Sequence, residues 1–505
     1  MRKEPAFATS RRDFLRAGAL SALLPLLPVA PPPPRRRQGV VVNDIHSGLN
    51  PTRVAEVLQP ASVGELQGVV RGAAADGAAI SIAGGRHAMG GQQFGTGALL
   101  VDAGRLNRVL ELDVEAGIVE VEGGVQWPEL VDWLERRQAG VEPAWGIVQK
   151  QTGADRLSIG GALSANVHGR GLRYRPIVQD VESFDLVAPD GSLLACSRRE
   201  NRELFSLAIG GYGLFGPIAR VRLRLARRRK IERVVELLDV DGLIEAFDER
   251  IAAGYEFGDF QYATDRGGDG FLRRGVFSCY RPVADDTPVP EAQASLSDDA
   301  WMQLGVLAHA HPGLAFDLYA AHYLRTSGQI YASDSHQMSY YRDDYHVALS
   351  QQLGAAHAGS EMITEIYVPR AALGAFMEAA RRDLRDGAAP VIYGTIRLIE
   401  RDDESFLAWA RQPWACVIFN LHVDHTPEGR ERAARVFRGL IDRALEHGGS
   451  YYLTYHRWAS REQVEAAHPR FVEFLQAKLR FDPEERFQSD WYRHYRSLFA
   501  EALEG

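Results

Sequence analysis

Two glycine pairs flank one histidine near residue 87, in a setting that favours ligand binding. They lie in the run Ile-Ser-Ile-Ala-Gly-Gly-Arg-His-Ala-Met-Gly-Gly at residues 80–91. Glycine adopts positive φ at low cost and lets a ligand approach the backbone closely, and successive N–H groups in such a turn form an anion-binding nest. His87 is placed to touch whatever the nest holds. The pattern therefore predicts a site for a phosphate-containing cofactor.

A second stretch rich in small residues follows at residues 151–171. It contains Ser-Ile-Gly-Gly-Ala at residues 158–162 and His-Gly-Arg-Gly at residues 168–171. Such a segment can line a pyrophosphate and the edge of a flat ring with backbone N–H groups. A tightly packed turn of small residues in the core would have the same composition, and these residues alone do not separate the two interpretations.

Short strands and helices must position both loops. The patterns predict a helix over 62–76 that begins with a capping box of Ser62 and Glu65, strands over 79–82, 98–102 and 218–226, and hairpins over 109–122 and 181–196. These elements predict a compact α+β unit over residues 51–228.

A basic run at residues 227–230 predicts a solvated linker after this unit, although an interaction patch would have the same composition. Beyond it, the patterns predict helices over 370–385 and 428–446, strands over 391–398 and 415–423, and a last helix that begins at Ser460 and ends before Arg480. The predicted domains are 1–40 (signal and Pro-rich linker), 51–228, 229–450 (substrate or cap domain) and 451–505 (a segment that closes on the first domain).

The first 40 residues resemble a targeting signal. Arg11 and Arg12 precede a 14-residue apolar stretch over 17–30, which is shorter than the ~18 to 20 residues that span a bilayer. A twin arginine before such a stretch predicts export by the twin-arginine (Tat) machinery and a periplasmic or extracellular location. Because Pro31 would hinder cleavage after Ala30, the signal could also remain as a membrane anchor.

Charge and cysteine content exclude other classes of protein. Residues 1–40 hold eight of the 58 basic residues and two of the 66 acidic ones, so the remainder carries a net charge of −14. An acidic body argues against nucleic acid as a partner. Three scattered cysteines are too few for a disulfide framework.

Four motifs, taken in order, carry a family resemblance. They are Gly84-Gly85-Arg86-His87, Ser158-Ile159-Gly160-Gly161-Ala162, His168-Gly169 and the run 210–218. Together they resemble the FAD-binding domain of the vanillyl-alcohol oxidase family, also called the p-cresol methylhydroxylase type. In the second half, residues 365–370 and Arg397 resemble the aldonolactone and alditol oxidase branch.

The resemblance implies a two-lobed FAD-binding domain, an α+β cap domain and a C-terminal segment that returns to the flavin. The residues it places around FAD are Gly84, Gly85, Arg86, His87 and Ala88 at the pyrophosphate, Ser158, Gly160, Gly161 and Ser164 on the opposite wall, and Gln92, His168, Gly213 and Ile218 nearby.

Two of these matches leave alternatives open. His87 matches the histidine that, in several branches, is bonded covalently to the isoalloxazine methyl carbon, but it could also only hydrogen-bond a phosphate or the loop. Arg170 stands where the sugar-oxidase branch has serine. It would favour a carboxylate or phosphate on the substrate, or it could point to solvent.

The implied reaction is oxidation of a C–H bond next to a hydroxyl or amine. Hydride passes to flavin N5, a base takes the proton, and O2 or another acceptor reoxidises the flavin. The candidates for the base and for substrate binding lie on strands of the second domain: Glu365, Arg397, Asn420, His422, Tyr455 and His456. Among these we expect Arg397, Glu365, His422 and Tyr455 to be catalytic.

No metal site is expected from the sequence. Six histidines lie between residues 309 and 357 without an HExxH motif or a cysteine pair, which favours a mostly exposed, helical His-rich region.

The sequence is compatible with three functions. The first is an FAD-dependent oxidoreductase that acts on the CH–OH group of a small polar substrate, such as a sugar lactone or polyol. The second is a flavoenzyme for a larger glycan or lipid-linked sugar, with residues 285–360 as a lid, or for a CH–NH substrate as in cytokinin dehydrogenases. The third is an exported binding protein without cofactor.

Overall fold

The computed structural model describes residues 39–339, 345–385 and 389–504. The predicted export signal therefore lies, up to residue 38, outside the described residues. The strands are β1 Val40–Val42, β2 Thr52–Val54, β3 Glu56–Leu58, β4 Ile80–Ala83, β5 Leu99–Asp102, β6 Val109–Asp113, β7 Ile118–Glu122, β8 Trp145–Ile147, β9 Val181–Val187, β10 Leu193–Ser197, β11 Ile218–Arg227, β12 Lys230–Asp239, β13 Phe257–Tyr262, β14 Arg274–Pro282, β15 Ile330–Ala332, β16 Gly359–Pro369, β17 Val391–Ile399, β18 Trp414–Asp424 and β19 Ser450–Tyr451. The helices are α1 Val63–Ala75, α2 Trp127–Arg137, α3 Ile159–Ala165, α4 Arg202–Ala208, α5 Leu243–Ala252, α6 Asp298–Ala310, α7 Pro312–Arg325, α8 Tyr345–Gln352, α9 Leu373–Arg385, α10 Pro427–Glu446, α11 Arg461–Ala467, α12 Phe471–Phe481, α13 Asp490–Leu498 and α14 Ala500–Glu504.

Three sheets position the cavity described below. The first half of the chain forms a parallel three-stranded sheet in the order β3-β5-β4 and an antiparallel sheet in the order β10-β9-β11-β7-β6, with β8 paired to β11. The second half forms one eight-stranded sheet in the order β15-β12-β14-β13-β17-β18-β16-β19. This mixture of helices and sheets confirms the predicted α+β class.

Helix α1 shows why local sequence predicts these elements well. Its residues at positions 63, 66, 70 and 73 are buried, which is the spacing of one helix face. Ser62 accepts a hydrogen bond from the N–H of Glu65, while the Glu65 carboxylate accepts from Ala61 instead of from Ser62. Ser62 is therefore the N-cap, as predicted, and only the return bond from the Glu65 carboxylate is shifted to the preceding residue.

The basic run at residues 227–230 is exposed at Arg227 and Arg229, as we predicted, but it is much shorter than a linker. Only Arg228 and Arg229 separate β11 from β12. Arg228 lies 2.9 Å from a carboxylate oxygen of Asp334, and Arg229 lies 2.8 Å from one of Glu256. Because acidic partners from distant segments meet these side chains, the run forms a tight turn between two sheets.

The C-terminal segment returns to the first half of the chain. The N–H of Ile80 donates to the carbonyl of Arg486, and the N–H of Gln488 donates to the carbonyl of Ile80. This contact fixes the strand that leads into the first glycine loop. The single last helix that we predicted is wrong, because α11 and α12 are separated at Pro469 and α13 and α14 follow.

Within the described residues, no helix combines the length and the apolar character needed to cross a bilayer.

Candidate active site

One cavity of about 760 Å3 lies between the glycine-rich loops and the eight-stranded sheet. One wall is formed by residues 82–89 and by parts of 151–170 and 212–218. The facing wall is formed by side chains of β13, β16, β17 and β18 and by helices α6 and α7. Both halves of the chain therefore contribute to one site.

The two glycine loops touch each other directly. The N–H of Gly85 donates to the Ser158 hydroxyl at 3.3 Å. A Cβ atom at Gly84 would lie 1.9 Å from that hydroxyl oxygen, and one at Gly85 would lie 2.4 Å from the carbonyl oxygen of Arg156. Glycine is required here because the Ser158 side chain packs against Gly84 and the Arg156 backbone packs against Gly85.

The first loop leaves donors for an anionic ligand. Arg86 adopts a φ of +58°, and its guanidinium lies 2.6 Å from Asp102. Within the described parts of the chain, the N–H groups of Arg86 and Ala88 donate to no protein acceptor. Both residues line the cavity, so this turn fits the predicted phosphate cradle.

The second loop contributes shape more than hydrogen bonds. At the start of α3, the N–H of Ile159 donates to Val125, that of Gly160 to Gly123 and that of Gly161 to the Ser158 hydroxyl. Gly160, Gly161 and Ser164 all line the cavity. Because the first amides of the helix already have protein acceptors, this wall meets a ligand mainly through small side chains and Cα atoms.

Gln92 connects the first loop to the C-terminal segment. Its amide nitrogen donates to the carbonyl oxygens of Leu453 and Thr454 at 2.9 and 2.8 Å, and its oxygen accepts from the N–H of Gly90. Gln92 therefore holds the loop closed. Gly213, with a φ of +75°, and Ile218 line the cavity as well.

His87 lies in the first loop as a buried, neutral imidazole. Burial, together with the nearby charge of His46, lowers the pKa of His87 to about 3. The two ring centres are 6.4 Å apart. A neutral imidazole is the form of histidine that can act as a nucleophile.

His168, which we expected beside the cofactor, instead lies behind the facing wall. Its Nε2 is 2.8 Å from Oε2 of Glu365, and its Nδ1 is 3.0 Å from the carbonyl oxygen of Gly169. Both partners can accept hydrogen bonds, and the ring is paired with the buried Glu365 carboxylate.

Glu365 is the centre of this group. Tyr455 donates to Oε1 at 2.7 Å, and Tyr367 donates to Oε2 at 3.0 Å. Burial opposes ionisation, but the charge of His168 and the hydrogen bonds from His168 and Tyr455 outweigh it and hold the pKa of Glu365 at about 2. Tyr455 and Glu365 both line the cavity.

Arg397 provides an unsatisfied cation beside this group. Its side chain is buried and lines the cavity. Among the described residues, its Nε and Nη1 have no hydrogen-bond partner, and no carboxylate lies within 4 Å of it. The nearby Glu400 is paired with Arg370. The Arg397 guanidinium is therefore available for a ligand oxygen.

The other predicted catalytic residues do not all join this group. Asn420 lines the cavity, with its side-chain oxygen unsatisfied within the described residues. His422, two residues further on the same strand face, lies 3.3 Å from Glu361 and not against Glu365. His456 stacks on Phe437 at 4.7 Å, and burial lowers its pKa to about 3. The expectation that His422 shares one site with Glu365 is wrong, because Glu361 holds its ring.

Arg170 is buried against the cavity, so the solvent-pointing alternative is wrong. Its guanidinium donates to the carbonyl oxygen of His336 and lies 3.8 Å from a carboxylate oxygen of Asp259. The group also lies over the Tyr280 ring at 4.9 Å. Arg170 thus faces the cavity as a cation that is only partly neutralised.

The His-rich span is less exposed than we predicted. His309 lies on α6 and His322 on α7, and both line the cavity together with the buried His336. Each of these helices thus contributes one histidine, beside aromatic and apolar residues, to the facing wall. Only His311 and His357 of this span are fully exposed.

Sequence reasoning missed several cavity residues. Asp259 and Gln261 are buried polar residues that alternate on β13, and Arg233 is stacked among Tyr280, Tyr323 and Tyr331. The alternation on β13 was a usable signal, since buried strands rarely carry two polar residues on one face. The ring of tyrosines comes from separate elements and has no local pattern.

Comparisons with known proteins agree with this geometry. Residues 54–197 match the family model described as FAD binding domain. The chain is 23% identical over 439 residues to the L-gulono-1,4-lactone dehydrogenase of Mycobacterium tuberculosis, which covers 86% of this chain and 95% of that protein. It is 28% identical over 167 residues to the L-gulonolactone oxidase of Mus musculus, covering 33% and 36% of the two chains. It is also 31% identical over 206 residues to cytokinin dehydrogenase 4 of Oryza sativa subsp. japonica, covering 39% and 37%.

The loop contact yields a test of cofactor binding. In Gly84→Ala the new Cβ would overlap the Ser158 hydroxyl, and overpacking of this kind costs about 1–3 kcal/mol. We expect the purified variant to retain at least ~10-fold less FAD per chain by absorbance, because the loops must separate. Gly68→Ala in α1, where a Cβ meets nothing within 4 Å, is the control. Equal FAD content in both variants would contradict the assigned role of this contact.

Proposed function

We propose that this chain oxidises a CH–OH group of a small polar substrate such as a sugar lactone or polyol. The proposal starts from the family to which the chain belongs, the FAD-dependent oxidoreductases with a p-cresol methylhydroxylase-type FAD-binding domain. The observation that carries the proposal is the group of Glu365, Tyr455 and the unpaired Arg397, which lies on the cavity wall that faces the FAD loops. O2 or another acceptor would receive the electrons.

The residues of the first half fit the cofactor. Gly84 to Ala88 would hold the pyrophosphate, and the wall of Ser158, Gly160 and Gly161 would cover the opposite side. When bound, FAD supplies the acceptor for the hydride that leaves the substrate carbon. The cavity then leaves the reacting carbon between the cofactor and the second-half residues.

Tyr455 and Glu365 would receive the hydroxyl proton. The Tyr455 oxygen donates its hydrogen to Glu365 and accepts a hydrogen bond from Gln151 at 3.3 Å, so a further lone pair remains for a substrate hydroxyl. As the hydride leaves, the hydroxyl becomes strongly acidic, and a weak base is enough to take its proton. The proton can pass to Tyr455 while the phenol hydrogen passes to Glu365, with His168 holding the carboxylate in place.

Arg397 would orient the substrate. Its free N–H groups can donate to a carbonyl or hydroxyl oxygen of a lactone or polyol. Binding also removes the cost of a buried guanidinium without partners. Arg397 would thereby fix which carbon faces the cofactor.

The relatives favour a lactone over an amine substrate. The protein named L-gulono-1,4-lactone dehydrogenase aligns with 86% of this chain, whereas cytokinin dehydrogenase 4 aligns with 39% of it. A match over most of the chain includes the cap domain, where substrates are distinguished. A CH–NH substrate and a larger glycan are the alternatives that the following experiment separates.

Anaerobic stopped-flow reduction tests the function. We expect L-gulono-1,4-lactone or a related aldonolactone or alditol to bleach the oxidised flavin, and a cytokinin panel to leave it unchanged. We also expect Tyr455→Phe to slow this reduction by about 10²-fold, since the relay to Glu365 is lost.

The matched control is Tyr492→Phe. Tyr492 also donates to a glutamate, Glu485 at 2.6 Å, but it lies outside the cavity. Its reduction rate should equal that of the wild type. Reduction by cytokinins alone, or a Tyr455→Phe rate equal to that of the control, would contradict the proposal.

We further propose that His87 holds the flavin covalently. The support is its position in the cradle and its neutral, buried imidazole. After acid precipitation the yellow colour should stay in the wild-type pellet, and it should move to the supernatant for His87→Ala. His46→Ala, which changes the neighbouring ring, should behave like the wild type. Colour in the wild-type supernatant would show that the linkage is absent.

The proposal for location rests on residues 1–40 alone. We propose that Arg11 and Arg12 direct export by the twin-arginine machinery, with the signal either removed or kept as an anchor. In cell fractionation the wild-type chain should reach the periplasm or medium, and the Arg11→Lys/Arg12→Lys variant should stay in the cytoplasm. Equal distributions of the two would disprove this.

A further inference from the structure

Three side chains from three elements meet on the facing wall, away from Glu365. They are His309 in the last turn of α6, Glu361 on β16 and His422 on β18. His309 Nε2 lies 2.8 Å and His422 Nδ1 lies 3.3 Å from the same oxygen, Oε1 of Glu361. All three ligand atoms lie within 4.8 Å of one another. We name these residues the His309–Glu361–His422 cluster.

The outer nitrogens of both rings face acceptors. His309 Nδ1 lies 2.9 Å from the carbonyl oxygen of Gly305, which can only accept, so this nitrogen carries a hydrogen. His422 Nε2 lies 3.6 Å from a carboxylate oxygen of Asp424. For His309 this arrangement is typical of metal-bound histidine, because the outer acceptor fixes the tautomer that presents the lone pair of the inner nitrogen. The 3.6 Å separation at His422 is too long for a hydrogen bond.

The inner nitrogens of both rings converge on one carboxylate oxygen. The two ring centres are 5.2 Å apart and the ring planes are nearly perpendicular. Two imidazole nitrogens and one carboxylate oxygen that point at one another are the donor set of zinc sites with an open coordination position. A divalent cation between the three atoms would accept a lone pair from each of them.

The backbone is arranged to hold this cluster. Glu361 and His422 are direct partners in the register of β16 and β18. A Cβ atom at Gly359 would lie 2.5 Å from the His422 ring, so only glycine leaves room for that ring. Glu361 is 2% exposed, and its second oxygen accepts from Tyr345 at 2.5 Å. Side chains from three elements are thus fixed around one point.

We propose that the His309–Glu361–His422 cluster binds one divalent transition metal ion; zinc, which is bound by two imidazoles and one carboxylate in open sites, is the ion used in the test. For metal–ligand bonds of about 2.1 Å, neighbouring ligand atoms are about 3.0 Å apart at a right angle and about 3.4 Å apart in a tetrahedron. The observed separations of 2.8 and 3.3 Å from Glu361 Oε1 are close to these values, and the two nitrogens lie within 4.8 Å of each other.

Three protein ligands leave at least one coordination position open. His309 and Glu361 line the cavity, so a water or a substrate oxygen from the cavity can take that position. Glu361 and Glu365 lie on the same face of β16, four residues or about 13 Å apart. The metal site is therefore separate from the Glu365 group.

Metal retention tests the site directly. Untagged full-length protein is treated with EDTA, desalted, given excess zinc sulfate and desalted again, and zinc and flavin are measured per chain by mass spectrometry and absorbance. We expect about one zinc per wild-type chain. Glu361→Gln and His309→Asn should lower the affinity at least ~10-fold in competition with a chromophoric chelator, with flavin content and circular dichroism unchanged.

Glu400→Gln and His447→Asn are matched controls outside the cluster, since Glu400 pairs with Arg370 and His447 ends α10. Both should retain zinc like the wild type. His422→Asn provides a second ligand variant if one of the others fails to fold. A wild type that retains no zinc, or retention by Glu361→Gln equal to that of the controls, would overturn the proposal and leave a proton-bridged ion cluster.

Discussion

Two buried carboxylates on one face of β16 require partners from other segments of this protein. Glu361 and Glu365 are both almost fully buried, and an unpaired buried charge costs about 3–5 kcal/mol. Each is therefore matched by histidine from another segment, Glu365 by His168 of the first half and Glu361 by His309 and His422. The facing wall of the cavity is held in place by these pairs.

Because of this requirement, Glu365 both holds the wall together and takes part in the proposed chemistry. Glu365 accepts three close hydrogen bonds, from His168, Tyr367 and Tyr455, and they keep it ionised despite burial. A group so fully occupied cannot bind the substrate itself, but it orients Tyr455 toward the cavity. Arg397, which has no such partner among the described residues, is left to bind the ligand.

The sequence predicted local features better than pairings between distant segments. The hairpin over 109–122 and the caps at Ser62 and Ser460 depend on neighbouring residues, and the structure contains all three. The positions of His168 and His422 depend on which carboxylate each ring meets, and Glu361 and Glu365 are far from both in sequence. His46 was missed because it precedes the first predicted domain and is near no motif.

The glycine loops also differ in how much of their role can be predicted from local sequence. Gly84 and Gly85 were interpreted as open backbone for a ligand, and Arg86 and Ala88 do leave their N–H groups free for one. Gly84 itself, however, is needed because Ser158 packs against it. A glycine motif read from sequence reports that something approaches the backbone, but only the fold tells whether that is a ligand or another loop.

The spacing along β16 separates two functions within one cavity. A metal ion at Glu361 would be about 13 Å from Glu365, too far to polarise a hydroxyl that donates to Tyr455. It can still coordinate a remote oxygen of the same substrate or a water in the cavity. Interactions with a remote part of a substrate change binding, whereas loss of the Tyr455 proton path changes the rate of hydride transfer. Changes at Glu361 should therefore affect substrate binding, whereas changes at the Glu365–Tyr455 pair should affect the rate of hydride transfer.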